Sequence, residues 1–199
     1  NYDALIITGA PLAHLEYEDV GYWQELEVIL NWAESHVTST LFSCWAAHAS
    51  LFHHYGLKRE LKKNKLCGVF KHQCFSEHGA LTRGFDDDFL VPHSRYGNIS
   101  LAQIATVPEL EVLAGSDKVG AYLVKNQSGS QVFITGHPEY EADTLAGEYA
   151  RDVAKGADAA IPENYFRNDD PKNEPSKTWK SLFDGSTNMG SILYTLLSS

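Results

Sequence analysis

Two short stretches carry side chains whose types and spacing could do covalent chemistry. The first is "TLFSCWAAHAS", residues 40 to 50, where an apolar, β-branched run delivers Cys44 into a helical pattern. A strand that turns tightly into a helix puts the turn residue at the carboxyl edge of its sheet, where open α/β sheets hold their ligands. The helix N-terminus above it favours thiolate. Ser43, Ala46 and Ala47 suit the crowding of a nucleophile elbow, and the Trp45 backbone N–H is placed to stabilise an oxyanion. For Cys44 alone the inert reading starts ahead, because free cysteine is among the most buried residue types. The second stretch, "FITGHPEYEA", ends a strand at Gly136 and offers His137 and Glu139 around Pro138. A cysteine nucleophile needs a base, and the base needs an orienting carboxylate. An i, i+2 pair in an extended turn can present both side chains on one side, with proline stiffening the link. One His–Glu pair would read as a loop histidine and a solvated charge. Two strand-end motifs with complementary chemistry favour a Cys44–His137–Glu139 site.

The elements that must position these residues read as α/β. "DALIITG" is a buried-strand pattern ending at Gly9 and Pro11. Residues 18 to 35 carry a helical stripe of Val20, Trp23, Leu26, Ile29, Leu30 and Ala33. "VTSTLFS" is a second strand, and the helix after Cys44 runs to Tyr55 and stops at Gly56, which suits a left-handed cap. Residues 66 to 90 are strand-like and loop-rich, "KVGAYLVKNQSGSQVFITG" is a hairpin, and residues 141 to 155 form a helix ended by Gly156. Pro162, Pro171 and Pro175 mark a loop before a final apolar helix, "SILYTLLSS". Strands alternating with helices predict a single domain over 1–199 built on a mostly parallel sheet flanked by helices.

Composition narrows the function classes. With 199 residues, 43% of them hydrophobic, the chain can bury a full core. A formal net charge of -10 argues against nucleic acid, which requires a basic surface. Lys58, Arg59, Lys62, Lys63 and Lys65 form a local basic run, read for the most part as solvated, with an anionic cofactor tail as the functional alternative. Three cysteines, Cys44, Cys67 and Cys74, cannot all pair, which predicts a reducing cytoplasm. No apolar run is long enough for a membrane span, and no signal peptide pattern opens the chain. The first residues lack an initiator Met and lie almost at once in a strand, as in a fragment or a processed chain. His53 and His54 suit a helix C-terminus; His36, His72, His78 and His93 lack metal-ligand spacing, so no metal site is expected. Asp86 to Asp88 read as a solvated turn, and Tyr22, Trp23 and Trp32 as core or interface.

"ITGAPL", "HVTSTLFSCWA", "KLCGVF", "LTRGFDDDFLVPHSRY" and "TGHPEY" together resemble the homoserine O-succinyltransferase (homoserine transsuccinylase) family, including its acetyl-specific members, over nearly the whole chain. The resemblance implies a flavodoxin-like, class I glutamine amidotransferase-like fold and a cysteine acyl-enzyme fed by acyl-CoA. Cys44 would be the nucleophile, His137 the general base and Glu139 its orienting group. Lys65 and Ser94 would contact substrate, Arg151 would hold the amino-acid carboxylate, and the backbone near Leu12 and Trp45 would form the oxyanion hole. The implied partners are acetyl-CoA or succinyl-CoA as co-substrate, L-homoserine as acceptor and a second copy in a homodimer, with no permanently bound cofactor. The implied setting is methionine biosynthesis in the cytoplasm. Three departures are visible. The family's N-terminal segment, which contributes strands and dimer contacts, is missing, so a sheet edge should be exposed. Ala13 and His14 follow "TGAPL" where succinyl-specific members tend to have Gly and acetyl-specific ones Glu. His48 replaces a common Gln, which leaves serine, and cysteine biosynthesis, open as the alternative. A glutamine amidotransferase-type hydrolase and a non-catalytic binding domain are the competing classes; Phe42 and Ala46 in place of the elbow glycines count against the first, and the intact set of site residues against the second.

Overall fold

The computed structural model describes residues 1–76, 79–156, 158–176 and 178–179. The first two apolar runs form strands β1 (Tyr2–Ile7) and β2 (Val37–Ser43), which pair in parallel. Helix α1 (Trp23–His36) joins them and buries Trp23, Leu26, Leu30 and Ala33 at three- and four-residue spacing, the face a helix must turn to a sheet. Ile29, expected on that stripe, lies outside it and is exposed. Helix α2 (Trp45–Tyr55) starts directly after Cys44 and ends at Gly56 in the left-handed region, φ 67°, as the sequence predicts. A long hairpin follows, β3 (Glu60–Cys74) with β4 (Asp88–Asn98). Next come α3 (Leu101–Ala105), closed by a Ser100–Gln103 capping box, the strands β5 (Leu110–Ser116), β6 (Gly120–Asn126) and β7 (Gln131–Ile134), and α4 (Thr144–Ala154).

The seven strands of the described residues form one sheet in the order β1-β2-β7-β6-β5-β3-β4. The α/β class with flanking helices is as expected, but the sheet is mixed and not mostly parallel. Among the described residues β1–β2 and β2–β7 are the parallel pairs; the pairs from β7 to β4 are antiparallel. The physical reason is link length. Asp117–Val119 and Gln127–Ser130 are too short for the crossover that parallel neighbours need. Edge position also bears on β1: among the described residues it pairs on one side, and Ile6 in the run expected to be buried is exposed, as is Tyr2 just before it.

Alternation along the strands builds two cores. Phe42 and Phe133 stack at 5.1 Å on the face covered by α1, α2 and α3, while Leu41, Val132 and Ile134 point into the opposite core with Leu113, Leu123 and Val91. A third cluster, Val69, Leu145, Tyr165, Phe166 and Trp179, packs α4 and the segment after it against β3. That segment is a loop, as predicted, but one clamped to the strand: Val69 N–H donates to the Glu163 carbonyl at 2.8 Å and Glu163 N–H to the Cys67 carbonyl at 3.0 Å. Gly68 allows the close approach. It has φ +146°, and a Cβ there would stand 2.4 Å from the Glu163 carbonyl oxygen. Gly68→Ala is therefore expected to destabilise the protein by ~2–4 kcal/mol, read as a lower midpoint in urea unfolding with an unchanged slope. The apolar stretch 191–199 and His78 lie outside the described residues. Among the described residues no helix is long and apolar enough to cross a membrane.

Candidate active site

Cys44 occupies the sharp turn between β2 and α2 with φ 54° and ψ -117°, a conformation costly for any residue with a Cβ. Its neighbours hold it there. The Cys44 N–H donates to the Ile134 carbonyl at 2.7 Å, and its carbonyl accepts from the Ala47 and His48 N–H groups at 3.0 and 3.3 Å. Gly9, in the loop after β1, runs close beside it: a Cβ at Gly9 would lie 3.0 Å from Cys44 Cβ and 3.3 Å from the Trp45 nitrogen. Cys44 keeps intermediate exposure, as do Cys67 and Cys74.

Because β7 pairs with β2, with Ser43 opposite Ile134, the chain beyond β7 emerges next to this turn. Thr135 N–H donates to the Tyr122 carbonyl at 3.0 Å and its hydroxyl to that of Ala121 at 2.8 Å; His137 N–H donates to the Pro92 carbonyl at 2.8 Å. His137 Nδ1 lies 2.8 Å from Glu139 Oε1, and Cys44 is the imidazole's other interaction partner. Burial pushes the His137 pKa down, but the Cys44 and Glu139 interactions outweigh it and hold the group up at about 10. The imidazole is thus protonated at neutral pH.

Lys65 and Ser94 meet α4 across the β3–β4 hairpin. Lys65 Nζ is 3.0 Å from Asp152 Oδ2 and 3.3 Å from Glu148 Oε2, and the Ser94 hydroxyl donates to Glu148. Tyr140 donates its hydroxyl to Glu148 Oε1 at 2.6 Å and stacks its ring on His137 at 4.2 Å. Burial raises the Glu148 pKa; the Ser94 and Tyr140 bonds and the Lys65 charge overcome this and keep it lowered. For Lys65, burial is overcome by the Asp152 bond and the Glu148 charge, so its pKa is raised. Arg151 is exposed on α4, three residues beyond Glu148 and so on a neighbouring position of the helix surface. Cys67, beside this cluster, is pushed up to about 11 by burial, which leaves it a neutral thiol. Glu148, Asp152 and Tyr140 are absent from the sequence-based set. Their one signal is the i, i+4 carboxylate pair on α4, which nothing in the sequence ties to Lys65.

Around the loop after β1 the outcome is mixed. The Trp45 N–H is among the first amides of α2, which have no helical carbonyl partner. The Leu12 N–H instead donates to the Ala10 carbonyl at 2.9 Å, so this loop would have to shift before Leu12 could serve an oxyanion. Ala13 is half-buried and His14 exposed. Arg59, read from sequence with the solvated cations, in fact pins this loop. It donates to the carbonyls of Leu15 at 2.7 Å and Ala13 at 3.4 Å and lies 4.6 Å above the Tyr17 ring. His48 is buried behind the elbow, its pKa pushed down by burial and by Arg95 and Arg59.

Solved structures that share this fold include a glutamine amidotransferase from Thermotoga maritima, TM-score 0.67 at 14% identity over 98% of this chain and 78% of that one. A second, from Methylobacillus flagellatus, gives TM-score 0.63 at 14% identity over 98% of this chain and 72% of that one. At such identities the likeness is one of fold. Sequence relatives are nearer. The homoserine O-succinyltransferase of Pseudoalteromonas translucida is 71% identical over 91% of this chain, and that of Shewanella amazonensis 56% identical over 91%. The chain spans 58% and 57% of the length of these two relatives. The family model for homoserine O-succinyltransferase matches residues 1–185. This chain belongs to the homoserine O-succinyltransferase family.

Proposed function

We propose that the protein is an acyl-CoA-dependent O-acyltransferase that moves a succinyl group through a Cys44 thioester to the side-chain hydroxyl of L-homoserine. The observation that carries this reading is the strained Cys44 turn beside the hydrogen-bonded His137–Glu139 pair, whose proton Cys44 helps to hold, in a chain of this family. The names of the relatives favour succinyl over acetyl, and the small side chain of Ala13 leaves room for it.

The chemistry follows from the proton on His137. The Cys44 sulfur attacks the thioester carbonyl, and the carbonyl oxygen takes the negative charge beside the Trp45 N–H. The tetrahedral adduct collapses, the bond to the CoA sulfur breaks, and His137 gives its proton to the departing thiolate. Acylation removes the partner that held the proton on His137, so the imidazole is now neutral and can act as base. It takes the proton of the acceptor hydroxyl as that oxygen attacks the acyl-enzyme and keeps it as the ester leaves and the Cys44 sulfur departs as thiolate, which restores the starting pair. Glu139 fixes the ring throughout by accepting from Nδ1–H. Arg151 offers a planar fork to the acceptor carboxylate, and Lys65 and Ser94, with Glu148 between them, line the same side.

The test is intact mass of the full-length chain after mixing with succinyl-CoA or acetyl-CoA, without acceptor. One succinyl adduct that homoserine discharges is the expected result. An acetyl adduct would reassign the donor, discharge by serine alone would reassign the acceptor, and no adduct from either donor would overturn the reading.

A further inference from the structure

Directly behind the catalytic turn lie two histidines that the reaction does not use. His72 on β3 and His93 on β4 are fully buried, their Nε2 atoms 2.9 Å apart and their rings stacked at 5.0 Å. Arg95, also buried, donates its Nε–H to His93 Nδ1 at 3.2 Å. Its remaining bonds go to neutral acceptors, the carbonyls of Gly97 and Val119 and the side-chain oxygen of Asn98.

A guanidinium always donates, so the protons in this chain have one arrangement. His93 Nδ1 must accept from Arg95. His93 then carries its hydrogen on Nε2 and donates it to His72 Nε2. His72 is left with its hydrogen on Nδ1, which donates to the Phe70 carbonyl at 2.8 Å. Both rings are neutral, each in a single tautomer. Burial, and after it the Arg95 charge, pushes the His93 pKa well down. For His72 burial is again the main cause and brings the group to about 4. The titratable and charged groups facing His93 are Arg95 on its own strand, His72 on β3, His48 on α2 and His137 in the turn; none is an acid that could retain a proton there. The phenol ring of Tyr122 on β6 closes the remaining side, 6.0 Å from His93.

The part of the site that rests on this chain is Gly136. A Cβ there would stand 2.9 Å from His93 Cε1 and 3.0 Å from its Nε2. The next N–H, that of His137, is bound to the carbonyl of Pro92, the residue before His93. The base is thus hung on the strand whose ring orientation Arg95 fixes.

We propose that the Arg95–His93–His72 chain is a positioning device for His137, holding the His93 ring as the surface against which Gly136 lies, and only while both histidines are neutral. The proposal rests on His137 being the base of the reaction above. Its test is His93→Gln in the full-length chain, with two readings: steady-state acyl transfer, and the pH profile of Cys44 alkylation by iodoacetamide. Glutamine can still reach His72 but offers Arg95 no acceptor where Nδ1 stood. The expected result is a kcat lower by about 10- to 100-fold, with KM for homoserine changed by less than about 3-fold. The alkylation profile shifts as well, because Cys44 helps to hold the proton on His137. A purely structural role would lower thermal stability and leave the profile of the folded protein unmoved. If His93→Gln fails to fold, Gly136→Ala presses a methyl against the same ring from the other side and should give the same shift. A folded variant with wild-type kcat and alkylation profile overturns the proposal. A shifted alkylation profile in a protein that accepts no acyl group from either CoA thioester would keep the positioning role and reject the acyltransferase reading.

Discussion

Cys44→Ala is expected to abolish the acyl adduct and to lower kcat by about 10^4- to 10^6-fold, the range for removal of a nucleophile from a unit that acts together. Fold and substrate contacts should survive. Alanine keeps the Cβ that packs beside Gly9, and the backbone bonds to Ile134, Ala47 and His48 do not involve the sulfur. The turn itself stays costly, because φ 54° with ψ -117° is as unfavourable for alanine as for cysteine. Adduct mass and kcat should therefore collapse while the circular dichroism spectrum is retained. A transferase that still turns over at a tenth of the wild-type rate without Cys44 would put the nucleophile elsewhere.

His137→Asn is the second substitution with a large expected effect. Asparagine can keep a hydrogen bond to Glu139 but can neither donate to the leaving thiolate nor accept from the incoming hydroxyl. General acid and base catalysis is worth about 10^2- to 10^4-fold, which is the expected loss in kcat. A pH effect on stability accompanies it. In the folded chain His137 titrates at about 10, above its ordinary 6.5, so the folded state binds this proton more tightly than the unfolded one. That stabilisation is complete below pH 6.5 and is lost as pH rises through 10. Melting temperatures of the wild type should thus fall between pH 7 and 10 by more than those of His137→Asn; equal slopes would show that the Cys44–His137–Glu139 chain is not linked to folding.

Much of the site was legible in the sequence because it is written in local patterns. Ser43, Cys44 and the alanines after Trp45 mark a strand-to-helix turn, and His137, Pro138 and Glu139 mark a strand end; sheet pairing of β2 with β7 then brings the two together. Gly56 and the β6–β7 hairpin follow from cap and turn chemistry in the same way. What stayed hidden depends on distant pairing. β5 carries no alternation strong enough to announce it, and its short links turn that half of the sheet antiparallel. The charged residues at the start of β3 disguise a strand that begins at Glu60. Arg59 is one cation of a basic run in sequence and a loop clamp in space, since Tyr17 and the carbonyls of Ala13 and Leu15 come to it from another element. His72 and His93 are not even opposite one another in the hairpin register, where His72 faces Phe89 and His93 faces Gly68. Their rings meet although the residues lie four register positions apart, a contact that spacing along the chain does not reveal.

The place of β7 in the sheet has a consequence for how the protein is made. During synthesis β2 and the turn with Cys44 leave the ribosome well before β7, although β7 is the neighbour that covers the inner edge of β2. Until Gln131 to Ile134 have emerged, that edge is open, and His137, which comes later still, is not yet beside Cys44. Until then the nascent chain carries an unpaired strand edge, a hazard for association with other chains. The pairing step that closes this edge also brings the segment with His137 beside Cys44.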